Sequence, residues 1–289
     1  MKIKLLNVFF CAVLLSVAVM TGCVPNQSNE GKPVLMVSIE PLRYFVEHIA
    51  GDAYRVESIV PRAYNPESYR PTPQQLMALS SCQAYFKVGA LGFETTWLAH
   101  ACQDQSQLKV IDTSDSLRTT ASSLPLAAFD PHTWTSPSHA AKICATVCEA
   151  LCRMDSARAP EFRANLQKEL AAIDSTDAQL HALLADVPCR AFITVHPSLT
   201  YFAREYGLRQ FCIERDGKEP SPEDLRQLVR QSKEEGVRVI FLLPQFAHEQ
   251  ASVVARETGA KMVEVNPLGY DWHAEMLRLA RALKADFHE

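Results

Sequence analysis

The sequence predicts an α/β protein of two lobes, each with a central parallel sheet flanked by helices, joined by one long rigid linker helix. Three observations predict it. Short apolar runs alternate with amphipathic stretches in both halves of the chain, the rhythm of strands crossed over by helices. The first run, at 34–39, is continuously apolar, as in a strand covered on both faces. A stretch from 160 to 186 has few helix breakers and carries an apolar stripe of Leu166, Leu170, Ile173, Leu180, Leu183 and Leu184. Its length, on the order of 40 Å, suits a stiff spine between two lobes.

In the first half, the strand at 34–39 leads to a helix with Leu42, Phe45, Val46 and Ile49 at helical spacing, stopped at Gly51. Residues 54–60 alternate and read as a second strand. Thr72 then caps a helix with Pro73 in its first turn and Gln75 three residues on, the spacing of a capping box. A third strand at 84–88, a short helix at 92–101 and a fourth strand at 109–111 complete the first lobe. Helices at 138–153 and 160–186 follow.

The second half repeats the pattern. A strand at 191–195 precedes a helix at 200–206, ended by Gly207, and a strand at 211–214. Ser221, Pro222, Glu223 and Asp224 supply a cap, a first-turn proline and acids at a helix start. Strands at 237–243 and 261–265 enclose a helix at 248–258, and a helix at 273–284 closes the chain.

At 289 residues the chain has room for two ordinary domains. Its 47% hydrophobic and 21% charged content marks a folded protein, and the absence of a basic run or stripe gives no sign of a nucleic-acid partner. The first 22 residues read as a signal peptide: Lys2 and Lys4, an apolar run from 5 to 20, then Thr21, Gly22 and Cys23. This ending resembles the lipobox of bacterial lipoproteins, which makes Cys23 the expected lipidation site and 23–32 a tether. Cleavage removes Lys2 and Lys4 and no acid, so the net charge of −4 becomes −6. Cys144, Cys148 and Cys152 recur every four residues on one helical face, where thiols act as small apolar groups. Cys82 with Cys102, and Cys189 with Cys212, each flank one strand–helix unit and are candidate disulfides.

The chemistry sits in the loops. His132 follows a proline in Asp130-Pro131-His132-Thr133-Trp134, and His196 follows the strand at 191–195. Glu67 lies in the loop after the second strand; Asn266 and Asp271 lie after the last one. Ligands of parallel α/β sheets bind beyond the carboxyl ends of strands. Two imidazoles with one or two oxygens suit Zn2+, Mn2+ or Fe2+.

These loops resemble those of the metal-binding lipoproteins of bacterial zinc and manganese ABC importers, the cluster A-I solute-binding family. The matching stretches are 65–73, 130–134, 195–197, 201–208, 216–225, 239–241 with 244–246, and 257–261, in family order. The resemblance implies two α/β lobes with a metal between them, zinc first and manganese or iron as alternatives. It implies an ABC importer permease as partner, a monomer held to the membrane by its lipid at the periplasmic or extracytoplasmic face, and no enzymatic activity. Onto this chain it carries Glu67, His132, His196 and Asn266 as metal ligands, with Asp271 a second candidate for the last position. Glu67 stands where the family usually has His, Asn266 where it has Asp, and Leu243 where it has Glu. The histidine-to-glutamate change adds one negative charge, the aspartate-to-asparagine change removes one, and oxygen donors gain on nitrogen.

The expected boundaries are a first lobe at 33–137, a helical segment at 138–186 and a second lobe at 187–289. Two other functions fit the scaffold less well: an adhesin or receptor for another ligand that has lost its metal, and a zinc hydrolase, for which no HExxH-like pair is present.

Overall fold

Two parallel four-stranded sheets with the same strand order organise the chain. The structure is a computed structural model, described for residues 31–98, 108–118, 129–214, 219–247 and 249–285. The signal segment, Cys23 and Cys102 lie outside the described residues.

The first sheet contains β1 (Val34–Val37), β2 (Arg55–Ser58), β3 (Ala84–Lys87) and β4 (Lys109–Asp112) in the order β2-β1-β3-β4. The second contains β5 (Ala191–Thr194), β6 (Arg209–Cys212), β7 (Val239–Leu242) and β8 (Lys261–Glu264) in the order β6-β5-β7-β8. In each, the chain leaves the inner strand on one side and then crosses to the other. The crevices beyond β1/β3 and β5/β7 are therefore topological switch points, where loops diverge and leave room for a ligand.

Helices α1 (Glu40–Ala50) and α2 (Pro73–Ser81) belong to the first half. The Thr72 hydroxyl accepts from Gln75 N, and the Gln75 side chain reaches back to Thr72 N, closing the expected box. The predicted helix at 92–101 is instead a π-helical turn, Glu94–Leu98, in the described part. Its cause is Glu94, whose buried carboxylate accepts from Val88 N, Gly89 N and Ser38 Oγ and pulls the turn onto the end of β3. Burial raises the pKa of this carboxyl, against the opposing effect of those hydrogen bonds.

Helix α3 (Pro137–Met154) runs into α4 (Ala159–Leu184), 26 residues long. α5 (Thr200–Glu205), α6 (Pro222–Glu234), α7 (Glu249–Thr258) and α8 (Trp272–Lys284) follow. The strand expected at 211–214 lies two residues earlier. Arg209 and Gln210 pair with Ala191 and Phe192, and Glu214 is left beyond the sheet.

One buried cluster runs through β1, β3, α1, α3 and α4 and continues into the second half through Phe192, Phe241, Trp272, Met276, Leu279 and Leu283. Its apolar members supply most of the drive to fold. The other face of the second sheet has its own cluster around Ile193, Ile240, Phe211, Leu228 and Val254. α8 therefore crosses back: Trp272 packs on Phe45 at 5.4 Å, and Tyr270 Oη donates to Glu47 at 2.5 Å. The described residues from 33 onward form one compact unit.

Cys144 and Cys148 are core residues, as their spacing suggests, and burial pushes the Cys148 thiol up to about 11. The candidate Cys189–Cys212 disulfide does not form. Cys189 precedes β5, while Cys212 ends β6 level with Thr194. Five residues along a strand separate their heights by roughly 16 Å, far beyond disulfide reach.

Candidate metal centre

Loops from both halves converge on three potential donors. Glu67, His132 and His196 each present one ligand atom, and these atoms lie within 4.8 Å of one another. His132 Nε2 is 3.9 Å from Glu67 Oε1. The two imidazole centroids are 5.1 Å apart at 67°.

Each donor is held from behind. Asp130 Oδ1 accepts from His132 N (3.0 Å) and lies 2.8 Å from His132 Nδ1. Burial opposes ionisation of Asp130, but the bonds from His132 outweigh it and hold the carboxyl below its usual pKa. An ionised Asp130 fixes the proton on Nδ1 and leaves the Nε2 lone pair for a cation. His196 is built the same way: Nδ1 donates to Glu214 Oε2 at 2.7 Å. Thr194 pairs with Cys212 in the parallel register, so residues two further along each strand, His196 and Glu214, come side by side. The ring of His196 stacks on Phe246, with centroids 4.6 Å apart. Burial, and then the neighbouring His132, lower the His196 pKa and favour the neutral imidazole that a metal requires.

Glu67 is oriented by the backbone. Its amide donates to Asn65 Oδ1, and its Oε2 accepts from Gly92 N at 2.9 Å. A Cβ on Gly92 would lie 2.2 Å from Glu67 O, so only glycine allows this approach.

Two of the donor atoms, Glu67 Oε1 and His196 Nε2, are buried with no hydrogen-bond partner. Each such group costs about 1–3 kcal/mol when unsatisfied, and a single cation would satisfy both. Ligand bonds of roughly 2.0–2.2 Å require donors about 3.4 Å apart in a tetrahedron, so the side chains must draw in by about 1 Å. The cavity they line is about 20 Å3, also walled by Trp134, Ser198, Leu243, Phe246 and Leu268. That is room for an ion or a water molecule and for no organic solute.

Asn266 and Asp271 are engaged elsewhere. Asn266 Oδ1 accepts from Gln245 Nε2 (2.9 Å) and Leu268 N (3.2 Å). Asp271 is exposed and caps α8 through Ala274 N at 3.0 Å. A local cap satisfies a helix end that would otherwise be bare, which opposes a swing toward the centre. Sequence reasoning passed over Asp130 and Glu214 as supports and Ser198 as a wall. The pairing of Asp130 with His132 is local enough to be read; that of Glu214 needs the strand register.

Two switch-point crevices, facing loops and a Glu/His/His cluster, buried at His132 and half-buried at Glu67 and His196, define a metal-binding solute receptor. The family model described as zinc-uptake complex component A, periplasmic (ZnuA), matches residues 35–284. The chain belongs to this family, the metal-binding solute-binding proteins of zinc and manganese ABC importers, which are not enzymes. Family members are periplasmic or lipid-anchored extracytoplasmic proteins. A putative metal-binding protein of Chlamydia trachomatis is 27% identical over 252 residues, covering 86% of this chain and 89% of its own. A crystal structure of ZnuA superposes with a TM-score of 0.81 at 36% identity, covering 86% of this chain and 97% of that one. A zinc-bound ZnuA deletion mutant has the same TM-score, 0.81, at 35% identity, covering 88% and 99%. The periplasmic zinc-binding protein TroA of Treponema pallidum, at 18% identity and TM-score 0.79, covering 88% and 98%, shares the fold.

Glu214→Gln is expected to weaken metal binding about 10- to 100-fold, because His196 loses its negatively charged anchor while keeping its place. Competition titration with a chromophoric chelator measures this.

Proposed function

We propose that this chain is a lipid-anchored receptor that captures a divalent transition metal at Glu67, His132 and His196 and delivers it to an ABC importer permease. Zinc is the leading cargo, with manganese and iron as alternatives. The observation that carries the reading is the pair of buried, unpartnered donor atoms, Glu67 Oε1 and His196 Nε2, on a cavity of ion size. The zinc bound by the 35%-identical ZnuA deletion mutant supports zinc, and the extra carboxylate donor favours Mn2+ and Fe2+ more than a three-histidine site would. The lobes at 33–137 and 187–289, joined by the helical segment 138–186, supply the two sides of the centre.

Metal content after purification without chelator tests the cargo. About one equivalent of zinc is expected, and a metal-free protein that binds none of the three ions on titration refutes the reading. The anchor is tested separately: Cys23→Ala should move the protein from the membrane fraction to the soluble one. An unchanged membrane fraction would rule out lipidation at Cys23.

A further inference from the structure

Three buried polar atoms on the cavity wall are left without partners: Glu67 Oε1, His196 Nε2 and Ser198 Oγ. The first two are electron-pair donors that a cation satisfies directly. The third is different. Ser198 is 5% exposed, and its hydroxyl is both donor and acceptor, so a hydrogen-bonding molecule is what it needs. Ser198 N donates to His196 O at 2.7 Å, a tight turn that keeps the serine beside the imidazole.

A fourth ligand from the protein is not at hand among the described residues. The Asn266 amide oxygen already accepts two hydrogen bonds, and Gln245, which donates one of them, is itself tied to Arg62 O at 3.0 Å. Asp271 is spent on the α8 cap. The remaining walls, Trp134, Leu243, Phe246, Pro267 and Leu268, present chiefly apolar surface.

Building on the metal-receptor reading above, we propose that the fourth coordination position at Glu67, His132 and His196 is held by one exchangeable water hydrogen-bonded to Ser198. The ion polarises the water and makes it a strong donor, and the buried hydroxyl accepts. The ion would seat among the three drawn-in donors, and the space beside them is of water size, too small for an organic ligand. Ser198 is a positioning residue: it acts on the cargo through the water. The centre therefore takes an ion that keeps part of its hydration, and exchanges that position with solvent more readily than an all-protein shell would.

The test uses Co2+-loaded protein and its low-temperature EPR spectrum in 17O-enriched water. Line broadening from a coordinated oxygen is expected. Ser198→Ala should weaken Co2+ binding about five- to tenfold, the loss of one hydrogen bond, and shift the cobalt ligand-field bands. The melting temperature of its metal-free form should stay unchanged, which a purely structural serine would not allow. Bound Co2+ without broadening overturns the inference and leaves the receptor reading intact. Failure to bind Co2+, Zn2+ or Mn2+ at all overturns both.

Discussion

Replacing His132 or His196 by alanine is expected to weaken Zn2+ binding by at least about 100-fold, measured by titration against a competing chelator. Four-ligand zinc centres hold their ion by roughly 10–16 kcal/mol, so one ligand contributes on the order of 3 kcal/mol. The two variants should fail in the same way, because each imidazole offers Nε2 with Nδ1 anchored to a carboxylate, Asp130 or Glu214. Proton competition gives a second readout. A metal binds only the neutral imidazole, so affinity falls as pH falls. Burial and the neighbouring His132 lower the His196 pKa, so binding at that ligand should persist into more acidic solution than an ordinary histidine would permit. An alanine variant that kept parental affinity would remove that histidine from the centre.

The largest loss of stability is expected from Trp272→Ala. Trp272 is 2% exposed, packs on Phe45, and donates from Nε1 to Trp134 O at 2.6 Å. Trp134 in turn donates from its own Nε1 to Pro267 O at 2.8 Å. Truncation removes a large buried ring and leaves a carbonyl unsatisfied, costing about 3–5 kcal/mol in chemical denaturation. Since Trp134 lies two residues from His132 and also lines the cavity, metal affinity should fall along with stability. Trp272→Phe keeps most of the packing and loses the hydrogen bond, so its cost should be nearer 1–2 kcal/mol. Equal losses in the two variants would mean that packing contributes little.

Much of this molecule is written in local chemistry. The caps at Thr72 and Ser221, with their prolines and following Gln75 and Asp224, start their helices where spacing says they should. The breaker-poor stretch after 160 is one helix, and His132 and His196 sit in loops at strand ends. What local reading misses depends on partners distant in sequence. Glu94 bends a helix into a π-turn because Ser38 and the Val88–Gly89 amides converge on it. Glu214 meets His196 only through the register of β5 and β6. Asp271 shows the reverse effect. Its nearest need, the bare start of α8, is met three residues away. Asn266, expected as a donor, has its oxygen taken by Gln245 and Leu268, which no spacing rule reveals.

The return of α8 to the first half bears on how such a chain is made. The final helix supplies Trp272, Met276, Leu279 and Leu283 to a cluster that begins at β1, and the Tyr270–Glu47 contact spans 223 residues of sequence. A chain emerging from its amino terminus, from a ribosome or through a membrane pore, cannot close that core until its last turn is out. Up to then the partly formed first sheet lacks the cover that makes it compact, and Trp134 lacks the two partners that fix the His132 loop. The surroundings of the His132 loop are thereby completed only when the last helix is in place.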